Sequence, residues 1–291
     1  MVARTDVPLR RGPLGPYAYP VTDLDELLEL ALSISLRVMA TLADARSNAS
    51  ADPHALVHAT KSTNTDMVTE MDLWAERYIT DALVEARPHD AIVGEEGTRR
   101  DGSSGVHWYV DPIDGTTNYL YGHPGYSVSI GASVDGELAV GVVGDPTLGE
   151  VFRARRGGGA YRNDVAIRAT TRSSLAEALV GTGFGYRSDR RRAQARVLQQ
   201  VLPEVRDIRR MGGAAIDLCS VACGRLDAYY EYGISPWDIA AGTVIAAESG
   251  AMVTDLAGRP TLGPMVVAAG VPLHGDLCTL LRAAGADEMP V

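Results

Sequence analysis

Asp111-Pro112-Ile113-Asp114-Gly115-Thr116 is the segment that most constrains this chain: two carboxylates stand three residues apart across a proline, followed by a glycine and a hydroxyl. Carboxylates held that close repel each other. A hard cation such as Mg²⁺, which takes oxygen ligands, removes the repulsion. The preceding His107-Trp108-Tyr109-Val110 reads as a strand, so the acids emerge at a strand's carboxyl end. Open α/β sheets place their chemistry at such ends.

The chain has 291 residues, 46% of them hydrophobic, enough for a sizeable core. No run of eighteen apolar residues occurs, so no membrane partner is expected. The first residues carry arginine and proline without an apolar stretch, unlike a signal peptide. A net charge of −10 argues against nucleic acid as the main partner, because phosphate backbones are bound by basic faces. Cys219, Cys223 and Cys278 are too few for a disulfide framework and point to a reduced, cytoplasmic compartment. Cys219 and Cys223 lie four apart on an expected helix, and His54 and His58 have the spacing of one helix face, but neither pair has companions for a zinc site. Lys61 is the sole lysine in a chain that otherwise uses arginine, and its compact charge suits a place beside an acid cluster or a phosphate.

Residues 1–21 are proline-rich and aperiodic and are expected to form a poorly ordered arm. A helix is expected from a Thr22 cap to about Ala45, a loop over 47–60, and a second helix from Thr69 to Arg87, ending before Pro88. Ala91–Gly94 reads as a buried strand that delivers Glu95 and Glu96. Strand 106–111 and a short helical turn come next, then antiparallel strands at 126–134 and 138–143 and a hairpin around Arg156-Gly157-Gly158-Gly159. From about residue 165 strands and helices alternate, with helices at 188–202, 214–223 and 237–249 and a last strand at 265–269. An α+β half over 22–163 and an α/β half over 164–291 are therefore expected.

Asp72, Glu95, Glu96, Asp111, Asp114 and Asp238 all fall at or near element ends, and their convergence on one cleft would make an oxygen site for two or three cations. Such ions activate a water and neutralise the leaving oxygen of a phosphate ester. Thr116 is placed to hold that water, and the Gly115 and Thr116 N–H groups suit a phosphate oxygen. With no side chain, Gly115 lets the phosphate come close.

Gly94-Glu95-Glu96, the run from Trp108 through Asp111-Pro112-Ile113-Asp114-Gly115-Thr116 to Tyr119, and Trp237-Asp238-Ile239-Ala240-Ala241-Gly242 resemble the signatures of the inositol monophosphatase family. The blocks at Asp66–Asp72 and Asp227–Glu231 follow in the same order, and the resemblance spans roughly residues 22–270. It implies a layered αβαβα fold, a homodimer, Mg²⁺ dependence and Li⁺ sensitivity. It implies a first Mg²⁺ on Glu95, Asp111 and the Ile113 carbonyl, a second on Asp111, Asp114 and Asp238, and a weaker third on Glu95. Asp72 and Thr116 would position and deprotonate the water, Gly115 and Thr116 would take the phosphate, and Glu231 would accept a substrate hydroxyl with help from Gly213 and Ala214. Lys61 and Glu96 would stand just behind these groups. Gly213 departs from the family, which commonly has serine or threonine there, and this bears on the alcohol part of the substrate.

The resulting expectation is a Mg²⁺-dependent phosphomonoesterase acting on myo-inositol monophosphate. Histidinol phosphate, fructose 1,6-bisphosphate and 3′-phosphoadenosine 5′-phosphate are alternative small-molecule esters, and contact with RNA polymerase is an alternative of another class. The aspartyl-phosphate route of haloacid dehalogenases is not expected, since it needs acids two apart near the N-terminus. The Gly181–Gly185 segment lacks the dinucleotide spacing, and the run from Arg187 to Arg196 reads as a solvated helix face.

Overall fold

The computed structural model describes residues 22–49, 52–61 and 67–289; the arm expected over 1–21 lies outside the described residues. Helix α1 spans Leu24–Ser47, and strands β1 (Val57–Thr60) and β2 (Met67–Thr69) pair before helix α2 (Glu70–Ala86). Strands β3 (Ala91–Gly94), β4 (Arg99–Arg100) and β5 (Val106–Asp114) precede the short helix α3 (Thr116–Tyr121). Strands β6 (Ser127–Val134), β7 (Glu137–Asp145), β8 (Glu150–Arg155), β9 (Ala160–Arg162) and β10 (Val165–Ala166) complete a first sheet ordered β10-β9-β8-β7-β6-β5-β3-β4. Next come β11 (Leu179–Thr182), α4 (Ser188–Val201), β12 (Asp207–Arg209), α5 (Ala214–Ala222), β13 (Ala228–Tyr232) and α6 (Pro236–Glu248). The chain closes with β14 (Ala251–Thr254), β15 (Met265–Gly270) and α7 (Val271–Ala283), and the second sheet runs β12-β11-β13-β15-β14.

Five layers result. Helices α1 and α2 cover one face of the first sheet, α5 and α6 fill the space between the sheets, and α4 and α7 lie outside the second. The expected αβαβα architecture is the one observed. Each layer follows from its pattern: α1 buries Leu27, Leu28, Ala31, Ile34, Val38 and Leu42 at helical spacing, whereas β6 and β7, covered on both faces, are buried along most of their length.

Several boundaries differ from expectation. Helix α1 is capped by Asp23, not Thr22: the Asp23 carboxylate accepts the Asp25 N–H at 2.8 Å. The loop expected over 47–60 instead holds the end of α1, one 3₁₀ turn at Pro53–Leu56 and β1, whose partner β2 supplies pairing that small polar residues do not advertise. His58 is thus on a strand and shares no helix face with His54. Helix α7, whose Leu273, Leu277 and Leu281 cover the second sheet, was not anticipated. Strand β5 continues through Asp111 to Asp114, past the end expected at 111, because a bulge accommodates Pro112.

That bulge positions the acids. Opposite β6, Asp111 pairs with Ser129 and Asp114 with Ser127, so β5 spends three steps where β6 spends two. In a regular strand, residues three apart point to opposite faces. The extra residue resets the alternation and turns both carboxylates the same way.

Helix α6 lies close on the first sheet because two strand positions lack side chains. A Cβ on Gly141 would fall 2.3 Å from the Ala241 carbonyl oxygen, and one on Gly131 would fall 2.7 Å from the Ala241 nitrogen. Gly141→Val is expected to destabilise the fold by at least about 1–3 kcal/mol in urea unfolding, because backbone has to move; an unchanged midpoint would contradict this packing.

Asp217, in the first turn of α5, is buried with both carboxylate oxygens lacking a hydrogen-bond partner among the described residues. Burial, then the nearby charges of Glu231 and Asp114, raise its pKa well above the ordinary value. The folded state therefore favours the protonated form, whose stabilising effect is lost as pH rises from the unfolded value of about 4 through the raised folded one. The stability of Asp217→Asn relative to the native chain is expected to increase over that rise, measured as melting temperatures across pH; a pH-independent difference would exclude this role.

Candidate active site

Two sets of strand ends meet at one cavity. In the first sheet β3 runs parallel to β5 with Gly94 opposite Val110, and the Glu95 N–H donates to the Val110 carbonyl at 3.1 Å. Glu95 and Asp111 therefore leave their strands side by side. In the second sheet parallel β11 and β13 end together, bringing Glu231 beside Gly183, where a Cβ would sit only 1.9 Å from a Glu231 oxygen. The cavity between them, about 400 Å³ and open to solvent, is lined by Lys61, Glu95, Asp111, Ile113, Asp114, Gly115, Thr116, Ala214, Glu231 and Asp238, among others.

Asp72 and Asp238 are held by the same local device. Each is the third residue of a helix whose cap is a hydroxyl residue. The Thr69 N–H donates to Asp72 Oδ2 at 2.7 Å, and the Ser235 N–H donates to Asp238 Oδ2 at 2.6 Å. This capping box fixes one oxygen on backbone and presets the direction of the other. Asp111 is held by the Ile113 N–H at 3.0 Å. Asp114 accepts from the Ala214 N–H at 3.2 Å and the Ala215 N–H at 2.7 Å, which ties the first turn of α5 to the bulge.

Asp72 does not line the cavity but stands behind it. Thr116 Oγ1 is 3.2 Å from Asp72 Oδ1 and 3.1 Å from the Ile113 carbonyl oxygen, one proton shared between two acceptors. Gly213 also falls outside the lining; it lies close under Asp114, where a Cβ would be 2.9 Å from Oδ2. Ala214 lines the cavity, and its N–H is engaged by Asp114. Gly115 adopts φ +90°, a left-handed conformation suited to glycine, and turns β5 into α3. Glu231 accepts the Tyr229 hydroxyl at 2.6 Å. Lys61 Nζ reaches Glu95 and Glu96, both at 2.7 Å.

The site is electrostatically unbalanced. Burial, then the charges of Glu95, Asp114 and Asp238, drive the pKa of Asp111 well up. Burial also raises Asp114 and Asp238, against the N–H groups that stabilise their charge. Asp72 is pushed up to about 6 by burial, despite its bonds from Thr69, and Glu96 to about 7, chiefly by burial. Lys61 remains charged: Glu95 and Glu96 outweigh its burial and hold its pKa above the ordinary value.

Sequence reasoning missed several supports. Glu76 of α2, buried, accepts the Glu96 N–H at 2.7 Å and the Thr98 N–H at 2.8 Å, clamping the turn that carries Glu95. Arg99 donates to the Thr98 carbonyl at 2.7 Å and to the Gly94 carbonyl, and its guanidinium lies 5.0 Å over the Trp237 ring beside Asp238. Asn118 donates to the Gly125 and Met211 carbonyls at 2.8 and 2.7 Å, joining α3 to the segment before α5. Only the capping boxes had a sequence signal, the hydroxyl-x-x-Asp pattern at Thr69–Asp72 and Ser235–Asp238.

Among the described residues, no three His, Cys, Asp or Glu side chains are gathered closely enough to ligate one ion as they stand. The donors still suit a hard cation. They are oxygens, they are buried, and backbone bonds to Asp111 and Asp238 engage one carboxylate oxygen of each. Lys61 supplies the positive charge beside Glu95. No helix among the described residues is long and apolar enough to cross a membrane.

Comparison with known proteins agrees with this architecture. The model of the inositol monophosphatase family matches residues 23–285. The inositol-1-monophosphatase SuhB of Mycobacterium tuberculosis is 46% identical over 241 residues, covering 79% of this chain and 83% of that protein. The Nus factor SuhB of Pasteurella multocida is 42% identical over 214 residues, covering 72% and 80%. Among solved structures, the extragenic suppressor protein suhB from Bartonella henselae superposes with a TM-score of 0.82 at 31% identity, covering 88% of this chain and 98% of that one. Mycobacterium tuberculosis SuhB gives 0.76 at 39% identity, covering 90% and 98%. With its αβαβα layers and its signature acids around one cavity, the chain belongs to the inositol monophosphatase family.

Proposed function

We propose that this protein is a Mg²⁺-dependent phosphomonoesterase that hydrolyses a polyol phosphate of the inositol monophosphate class by direct attack of water. The observation that carries the reading is the wall of Glu95, Asp111, Asp114 and Asp238 around one cavity, with Lys61 as the cation beside Glu95. Glu95, Asp111, Asp114, Asp238 and the Ile113 carbonyl would hold two or three Mg²⁺. When bound, such ions lower the pKa of a water and neutralise charge on the leaving oxygen.

The chain's own groups supply the rest. Thr116, its hydroxyl set between Asp72 and the Ile113 carbonyl, orients the attacking water, and Asp72 receives the proton through it. The left-handed Gly115 leaves room for the phosphate against the start of α3. Glu231, oriented by the Tyr229 hydroxyl, accepts a hydroxyl of the alcohol part. A homodimer and a cytoplasmic setting accompany this reading.

A second reading, contact with the transcription machinery, draws on relatives named Nus factor SuhB. The presence of every expected acid supports hydrolysis alongside it.

Asp111→Asn removes one of the carboxylate charges that would hold Mg²⁺. Phosphate release from myo-inositol monophosphate is expected to fall at least about 100-fold, equivalent to roughly 2.7 kcal/mol, with Mg²⁺ affinity by calorimetry falling in parallel. Retained turnover would remove the metal assignment. Chelation with EDTA is expected to abolish release and added Mg²⁺ to restore it; metal-independent turnover would point to other chemistry. Thr116→Val, which keeps shape and loses the hydroxyl, is expected to lower kcat far more than it changes KM. An unaltered kcat would free Thr116 of its role.

A further inference from the structure

We infer that Arg99, which lies outside the cavity, is a positioning residue for cation binding: through Trp237 it fixes the turn bearing Glu95 against the helix bearing Asp238. This role rests on the metal-dependent reading proposed above. Arg99 does not line the cavity, whereas Trp237 does.

The turn that carries Glu95 joins β3 to β4, and β4 is only two residues long and sits at the edge of the first sheet. So short an edge strand gives the turn little hold, and side chains supply the rest. Glu76 takes the N–H groups of Glu96 and Thr98 from the outer helix layer. Arg99 Nη1 takes the carbonyls of Gly94 and Thr98. The same guanidinium lies 5.0 Å over the Trp237 ring, so it joins the turn to the start of α6, one residue before Asp238. Trp237 is itself held from a third side. Its carbonyl accepts the Ser129 hydroxyl at 3.3 Å, and Ser129 stands opposite Asp111 in the β5–β6 ladder. The segments carrying Glu95, Asp111 and Asp238 thus meet at one tryptophan.

An arginine on an edge strand often serves only to keep that edge charged. Arg100 fits that description: it donates to the Pro88 carbonyl at 2.5 Å, away from the site. Neighbouring strand residues face opposite ways, and Arg99 is the one turned toward Trp237. One planar group that meets two carbonyls and a ring face is a task for a guanidinium, which a lysine's point charge does not reproduce.

The test measures Mg²⁺ binding by calorimetry without substrate. It uses the native chain, Arg99→Met, Trp237→Leu, the double variant, Trp237→Phe and Arg100→Met. Arg99→Met keeps the apolar stem and loses the guanidinium. Its Mg²⁺ affinity is expected to fall about fivefold, the scale of one cation–π contact, while Arg100→Met binds as the native chain does. Trp237→Phe keeps a ring face and is expected to retain most of the affinity that Trp237→Leu loses. In the Trp237→Leu background, Arg99→Met is expected to cost clearly less than in the native chain, because the two side chains act as one contact. If the native chain binds Mg²⁺ and Arg99→Met binds it equally well, or loses the same factor in both backgrounds, the role of Arg99 is wrong and the metal reading stands. If the native chain binds no Mg²⁺, the metal reading fails and the role of Arg99 falls with it.

Discussion

Mutual repulsion among buried carboxylates is the constraint around which this fold is arranged. Asp111, Asp114 and Asp238 are drawn into one region with Glu95 although burial and like charge oppose their ionisation. The structure meets part of that cost with backbone. N–H groups of Ile113, Ala214, Ala215 and Ser235 each donate to one of these carboxylates, and Lys61 partners Glu95. Each of these N–H groups belongs to a bulge, a helix start or a cap, where main-chain N–H groups are not used by regular ladders. The site is thus assembled from the irregular ends of regular elements.

Those ends come together because both sheets aim the carboxyl ends of parallel strands at the same gap, and because α5 and α6 start there. Close approach is allowed by missing side chains. Gly131 and Gly141 admit α6, and Gly183 admits Glu231. The acids are consequently fixed by packing of the whole molecule, from Glu76 on the outer helix layer to Arg99 stacked on Trp237.

Much of this was legible in the sequence. Acids at the ends of apolar runs located Glu95, Asp111 and Asp114, the helix start at Pro236 located Asp238, and alternation of strand and helix after residue 165 foretold the second sheet. What stayed hidden depends on contacts between distant segments. The pairing of β1 with β2, the bulge that turns Asp111 and Asp114 to one face, and the engagement of the Ala214 N–H by Asp114 are not written in local periodicity. Helix α7 was missed although its leucines recur every four residues, because the short segment opens with Val271-Pro272 directly after a strand. Arg190 read as part of a solvated helix face, although its side chain lines the cavity.

The most direct measurement is anomalous scattering from crystals of the protein grown with Mn²⁺, a scattering substitute for Mg²⁺ that takes the same oxygen ligands. At least two anomalous peaks are expected inside the cavity, within ligation distance of Glu95, Asp111, Asp114 and Asp238. A cavity without peaks at saturating Mn²⁺, with Lys61 still bound to Glu95 and Glu96, would contradict it.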